Sequence, residues 1–194
     1  PWDDDIDIAI DRKSYERFIK ILKENPTLSD KFIGYEIGKT DFPFLKFINK
    51  EISVETPQLV DKNLWIDIFP IDNVPQKHKV FFLRQKYYES EYWAFRRVNG
   101  QISTPSTNNL LKRVFRKIRE IKLSKYSEQV MVERLIKNAK KYSDISSGIR
   151  SCVINGVFEK EIFPSRLFDS FIYLNFEGVK VKAIKEYDVW LKIR

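Results

Sequence analysis

Pro1-Trp2-Asp3-Asp4-Asp5-Ile6-Asp7-Ile8 opens the chain, and Ala9-Ile10 continues the pattern. Four carboxylates fall within five positions, and the last two alternate with isoleucine. In an extended strand successive side chains point to opposite faces. Asp3, Asp5 and Asp7 therefore share one face, and Ile6, Ile8 and Ile10 share the other. The apolar face can pack into a core, which leaves a row of carboxylates crowded against one another. Such crowding raises the proton affinity of each group unless a cation relieves it. Hard divalent cations take oxygen ligands and bridge carboxylates to substrate phosphates. A solvated acidic turn is the alternative, but a loop has no need of strict Asp-Ile alternation.

A second segment, Leu64-Trp65-Ile66-Asp67-Ile68-Phe69-Pro70-Ile71-Asp72, is a largely apolar run with Asp67 in its middle. Bounded by proline, it reads as a buried strand over Leu64 to Phe69. A carboxylate inside such a strand is costly unless it is paired, hydrogen-bonded or bound to metal. If this strand lies beside the first, Asp67 joins Asp5 and Asp7 at one cation site. The competing explanation is an Asp67 satisfied by a neighbouring lysine or backbone amide.

These two segments resemble the nucleotidyltransferase fold superfamily, and within it the LicD family, which includes fukutin and fukutin-related protein. The resemblance rests on Trp2-Asp3-Asp4-Asp5-Ile6-Asp7-Ile8 and on Ile66-Asp67-Ile68-Phe69-Pro70-Ile71-Asp72 with Val74-Pro75. Phe176-Glu177-Gly178-Val179, Tyr187-Asp188 and Leu191 are similar to the family's closing segment, and Glu159-Lys160-Glu161-Ile162-Phe163 fits more weakly. From about Pro75 to Asn155 the match is only one of general character.

The resemblance implies an α+β fold, a nucleotidyltransferase-like mixed β-sheet with a helical middle region. It also implies metal-dependent transfer of phosphocholine or a similar phospho-alcohol. The donor would be a CDP-alcohol such as CDP-choline. The acceptor would be a sugar hydroxyl of a cell-surface glycan (teichoic acid, lipopolysaccharide or capsule) or its lipid-linked precursor. Carried onto this chain, Asp5 and Asp7 hold Mg2+ or Mn2+ at the donor diphosphate. Asp67 completes the site and orients or deprotonates the acceptor hydroxyl. Asp3 shares the strand face and joins the metal site, whereas Asp4 points the other way. Phosphoryl transfer is mostly positioning and charge neutralisation, so no covalent nucleophile is required. The family carries a glycine-containing, phosphate-contacting turn before this motif and a short Tyr-Gly segment after Arg194, so the chain is expected to be incomplete. Two other functions stay open on the residues alone. One is a nucleotidyltransferase modifying nucleic acid or protein, and the other a non-catalytic module for an anionic polymer.

Composition narrows the chemistry. The 194 residues, 43% of them apolar, suffice for one domain with a substantial core. No apolar stretch approaches the roughly 20 residues that span a bilayer. Cys152 is the sole cysteine, which excludes an internal disulfide and a cysteine-rich zinc site, and its Cys-Val-Ile setting suggests core packing. His78 is the sole histidine and sits between lysines, so it reads as a surface residue and histidine-based nucleophilic catalysis is excluded. A cytoplasmic protein, working at the membrane surface, is the expected setting.

The net charge of +8 is unevenly spread, with lysine and arginine concentrated between residues 77 and 141. This basic middle fits a solvated helical face, a cradle for diphosphate or anionic polymer, or phosphate contacts to nucleic acid. Attraction to a membrane surface is a further option. The interleaved Tyr87, Tyr88, Tyr92, Trp93 and Phe95 also fit a core stripe. Helices are expected from Asp11 as cap to before Pro26, over 77–97 ending at Asn99-Gly100, through 112–119, and over 127–142. Strands are expected at Lys31–Ile37, Phe44–Ile48 and Ile52–Glu55, with a polar loop over 101–109 and a closing hairpin of Phe171–Phe176 and Val179–Ile184. The organisation expected is a single domain over 1–194, with a catalytic sheet region (1–75), a helical region (76–145) and a C-terminal hairpin and helix (146–194).

Overall fold

The Asp-Ile alternation forms strand β1 (Ile6–Asp11), and Asp11 then caps helix α1 (Arg12–Glu24) by accepting a hydrogen bond from the Ser14 N–H at 3.1 Å. The computed structural model describes residues 6–40, 42–53, 63–102, 109–156 and 158–193. Asp3, Asp4 and Asp5 lie outside the described residues, as do Glu55 and most of the 101–109 loop. Asn25 caps the short helix α2 (Pro26–Ser29), where proline occupies a position whose N–H has no helical partner anyway.

Strands β2 (Phe32–Ile33), β3 (Leu45–Ser53) and β4 (Asn63–Asn73) follow. β4 is the hub of a six-stranded sheet ordered β2-β3-β4-β5-β6, where β5 is Ile149–Ser151 and β6 is Ile162–Pro164. β1 runs parallel to β4 and the other pairings are antiparallel, so the sheet is mixed. Three helices fill the middle: α3 (Lys79–Val98), α4 (Leu110–Leu123) and α5 (Glu128–Ala139). A hairpin of β7 (Phe171–Phe176) and β8 (Val179–Ile184) turns at Glu177-Gly178, both with positive φ, and α6 (Tyr187–Ile193) closes the described chain. Two consecutive left-handed residues match the natural twist of a hairpin. The fold class is α+β.

Three sequence expectations are corrected. Lys31–Ile37 is a strand only at Phe32–Ile33, because the chain turns at Gly34 into a 3-10 turn over Tyr35–Ile37. The Tyr35 N–H donates to the Phe42 carbonyl at 2.9 Å, closing this segment against the start of β3. Ile52 does not begin a separate strand, since β3 continues to Ser53 through a register shift between Asn49 and Ser53. β4 also runs beyond Pro70. The proline falls after the last β3 partner, Ile68, and before the first β5 partner, Asp72, so its missing N–H costs no bond to either.

Two layers cover the sheet. On one face, Ile68 and Leu45 pack with Tyr15, Ile19 and Leu22 of α1 and with Phe32. Beyond the sheet, Phe81, Phe82, Tyr92 and Phe95 of α3 pack with Met131, Val132, Leu135 and Ile136 of α5 in the largest core. The Arg12 guanidinium sits under the sheet and donates two hydrogen bonds to Asp72, at 2.6 and 2.8 Å, with both groups buried. Burial alone would lower the Arg12 pKa, but Asp72 and Glu36 outweigh it and hold the value above the ordinary one. This ion pair pins the start of α1 to the end of β4.

Candidate functional site

β1 and β4 register Asp7 opposite Asp67, and β3 registers Lys46 opposite Asp67. Registered residues on neighbouring strands share a face, with backbones about 4.8 Å apart. Asp7, Asp67 and Lys46 thus form one row across three strands. The alternation that sends Ile68 and Leu45 into the α1 core sends this row to the opposite face. Asp7 is exposed and Asp67 buried. The sequence argument needed β1 beside β4, and the sheet puts them there. Asp3 and Asp5, the other two candidate ligands, lie outside the described residues.

Lys46 is the partner that sequence reasoning did not name. Its Nζ lies 2.6 Å from Asp67 Oδ1, so the buried carboxylate has a neutralising cation. The same ammonium sits 5.2 Å from the ring centres of Phe42 and Phe44 and 5.4 Å from that of Trp65. Three ring faces around one lysine supply attraction without competing for its hydrogens. The signal in the sequence was a lone lysine in the alternating Phe44-Leu45-Lys46-Phe47-Ile48.

Farther along the same face, Phe69 and Ile71 pack with Cys152, Phe168 and Trp190. Cys152 is buried there, as its apolar neighbours suggested, and burial pushes its thiol pKa well up. Arg150, registered opposite Asn73, lies over the Phe168 ring at 5.3 Å. Its charge helps hold the Asp11 carboxyl below the ordinary range. Partial burial works against that shift, and the Ser14 hydrogen bond is the strongest of the causes that outweigh it. The Arg150 Nε is buried and finds no hydrogen-bond partner among the described residues.

The donor chemistry at the row suits a hard cation: carboxylate oxygens only, from adjacent strands. Among the described residues, however, no group of three or more His, Cys, Asp or Glu side chains is assembled to hold a metal. His78 stands apart from the row at the start of α3, half-buried against Phe82, with Nδ1 3.0 Å from the Gln76 carbonyl. Of the interleaved aromatics, Tyr92 and Phe95 are core while Tyr87 and Trp93 are surface.

The structure thus defines an α+β protein whose central strands carry carboxylates side by side. No known protein-family profile matches the chain, and no solved structure matches it. Among curated proteins, the chain is similar to the lipopolysaccharide cholinephosphotransferase LicD of Haemophilus influenzae (strain ATCC 51907 / DSM 11121 / KW20 / Rd). The two are 22% identical over 193 residues, which cover 96% of this chain and 70% of that protein. The similarity supports the LicD-family resemblance. At the family level it points to an enzyme, a transferase.

Proposed function

We propose that this chain is a phosphotransferase that moves phosphocholine or a similar phospho-alcohol from a CDP-linked donor to a sugar hydroxyl. The acceptor is a cell-surface glycan, lipopolysaccharide in the simplest case, or its lipid-linked precursor. The observation that carries the reading is the registered pair Asp7 and Asp67 on adjacent parallel strands. The likeness to LicD over 96% of the chain supplies the reaction class. We assign the sheet to the nucleotidyltransferase-like arrangement, in which acidic residues on neighbouring strands face the nucleotide's phosphates.

Asp7 and Asp67 would hold magnesium or manganese, with Asp5 and Asp3 of the same alternating strand as further ligands. Such an ion would supply charge neutralisation at the donor diphosphate. In the transfer, the acceptor oxygen forms a bond to the phosphorus that carries the alcohol, and the bond from that phosphorus to the cytidylate oxygen breaks. CMP leaves, and the acceptor's proton passes to a carboxylate. Asp67 is placed for that role, since the Lys46 ammonium 2.6 Å away fixes its carboxylate in position. Arg150, with an unpartnered Nε on the same face, is the residue best suited to hold a phosphate oxygen.

The test is release of CMP from CDP-choline with an oligosaccharide acceptor and magnesium. Wild type is compared with Asp7→Asn and Asp67→Asn, with a nucleoside triphosphate as the competing donor. Release that requires acceptor and drops by at least about a hundredfold in both variants supports the proposal. Turnover of the triphosphate alone, or full activity in both variants, overturns it.

A further inference from the structure

Helix α4 is built inside out. Its large apolar side chains, Leu110, Leu111, Val114, Phe115, Ile118 and Ile121, are all exposed, from 49% at Val114 to 70% at Phe115. At 3.6 residues per turn these six positions fall within an arc of about 140°. The opposite side of the helix carries Arg116, Glu120 and the buried Leu123, and it meets α3 across a cleft that Phe115, at the edge of the arc, also lines. Polar contacts also tie the helix to α3. Arg119 Nη2 donates to Ser90 Oγ at 2.8 Å, and Lys122 Nζ reaches Glu91 at 2.8 Å and the Tyr87 hydroxyl at 2.6 Å. Leu123 and these contacts hold the helix to α3, while the six apolar side chains stay exposed.

We infer that this outward face docks on an anionic lipid bilayer, with α4 lying flat in the interface. The charge around the stripe names the occupant. α4 carries six cations, Lys112, Arg113, Arg116, Lys117, Arg119 and Lys122, against the single acid Glu120. Arg113 and Lys117 border the apolar arc on one edge, and Lys112 and Arg119 on the other. Long basic side chains in that position reach up to phosphate headgroups while the apolar stripe enters the acyl boundary. A second copy of the chain is the competing occupant. Apposing two such faces would bring like-charged borders together, which costs energy that anionic headgroups would instead return. Among the described residues no helix is long and apolar enough to cross a membrane, so α4 lies on the surface. The inference rests on α4 alone and stands apart from the transfer reaction.

The experiment is flotation of the full chain with vesicles of phosphatidylcholine mixed with phosphatidylglycerol, against phosphatidylcholine alone, with oligomeric state followed by light scattering. Wild type is expected to float with the anionic vesicles and to lose that binding as salt is raised. Replacing Leu111, Phe115 and Ile118 together by serine abolishes flotation. Arg113→Glu with Lys117→Glu weakens it roughly tenfold or more. Because all five side chains are exposed, circular dichroism and melting stay unchanged. Wild type that stays unbound, binding that survives the serine triple, or a dimer that the triple splits each overturns the proposal.

Discussion

Lys46 Nζ lies 2.6 Å from Asp67 Oδ1, the middle member of a row that Asp7 completes on the far strand. The ammonium makes this contact from within a cage of three aromatic rings, and Asp7 lies on the other side of Asp67. A divalent ion drawn to Asp67 shares that carboxylate with the ammonium. Replacing Lys46 with a neutral side chain of similar reach, Lys46→Met, leaves the buried Asp67 carboxylate without this partner. The variant is expected to melt lower than wild type without metal and to gain more from added magnesium or manganese. Melting curves with and without each ion check both parts, and an equal gain in the two proteins counts against the shared site.

The Arg12–Asp72 pair supports a second prediction. Both groups are buried and joined by two hydrogen bonds. Removing one partner strands a charge away from water, at a cost of about 3–5 kcal/mol. Arg12→Met and Asp72→Leu should each lower the unfolding free energy read from urea denaturation by that amount. The double replacement should cost clearly less than the sum of the two, because it leaves no buried charge behind.

Gly34 connects β2 to the 3-10 turn with φ of +157°. A Cβ there would stand 2.9 Å from the Phe44 carbonyl and 3.0 Å from Leu45 Cδ2. Backbone cannot give way as a flexible side chain can. Gly34→Ala is therefore expected to destabilise by roughly 1–3 kcal/mol. Because the clash falls at Phe44, the same variant should also disturb the ring cage around Lys46, read as a change in metal-induced stabilisation.

Cys152 supports a fourth prediction. Its thiol is buried in the core beside Asp72 and Glu161, and burial is the main reason its pKa lies high. A thiol-specific reagent at mildly alkaline pH should fail to label the folded chain and label it fully in denaturant. Labelling of the native protein at the free-thiol rate would show that this face of the sheet opens.

The sequence by itself determined much of the local structure. Ile-Asp alternation made β1, Asp11 made a cap, Asn99-Gly100 stopped α3, and Glu177-Gly178 turned the last hairpin. Each is a short-range effect of side-chain period or φ preference, legible without knowing what packs where. The two carboxylate segments were legible for the same reason, because a charge inside an apolar strand requires a partner.

Partner identity was decided only by tertiary structure. Lys46 faces Asp67, and Arg12 finds Asp72 sixty positions away, because the order and register of β1, β4 and β3 bring them there. A one-residue slip would send Asp67 into the α1 core and Ile68 to the open face. The exposure of α4 was equally beyond its sequence, since an amphipathic pattern shows that a helix has an apolar side but not which way that side turns. That orientation follows from the burial of Leu123 in the core with α3 and from the Arg119 contact with Ser90.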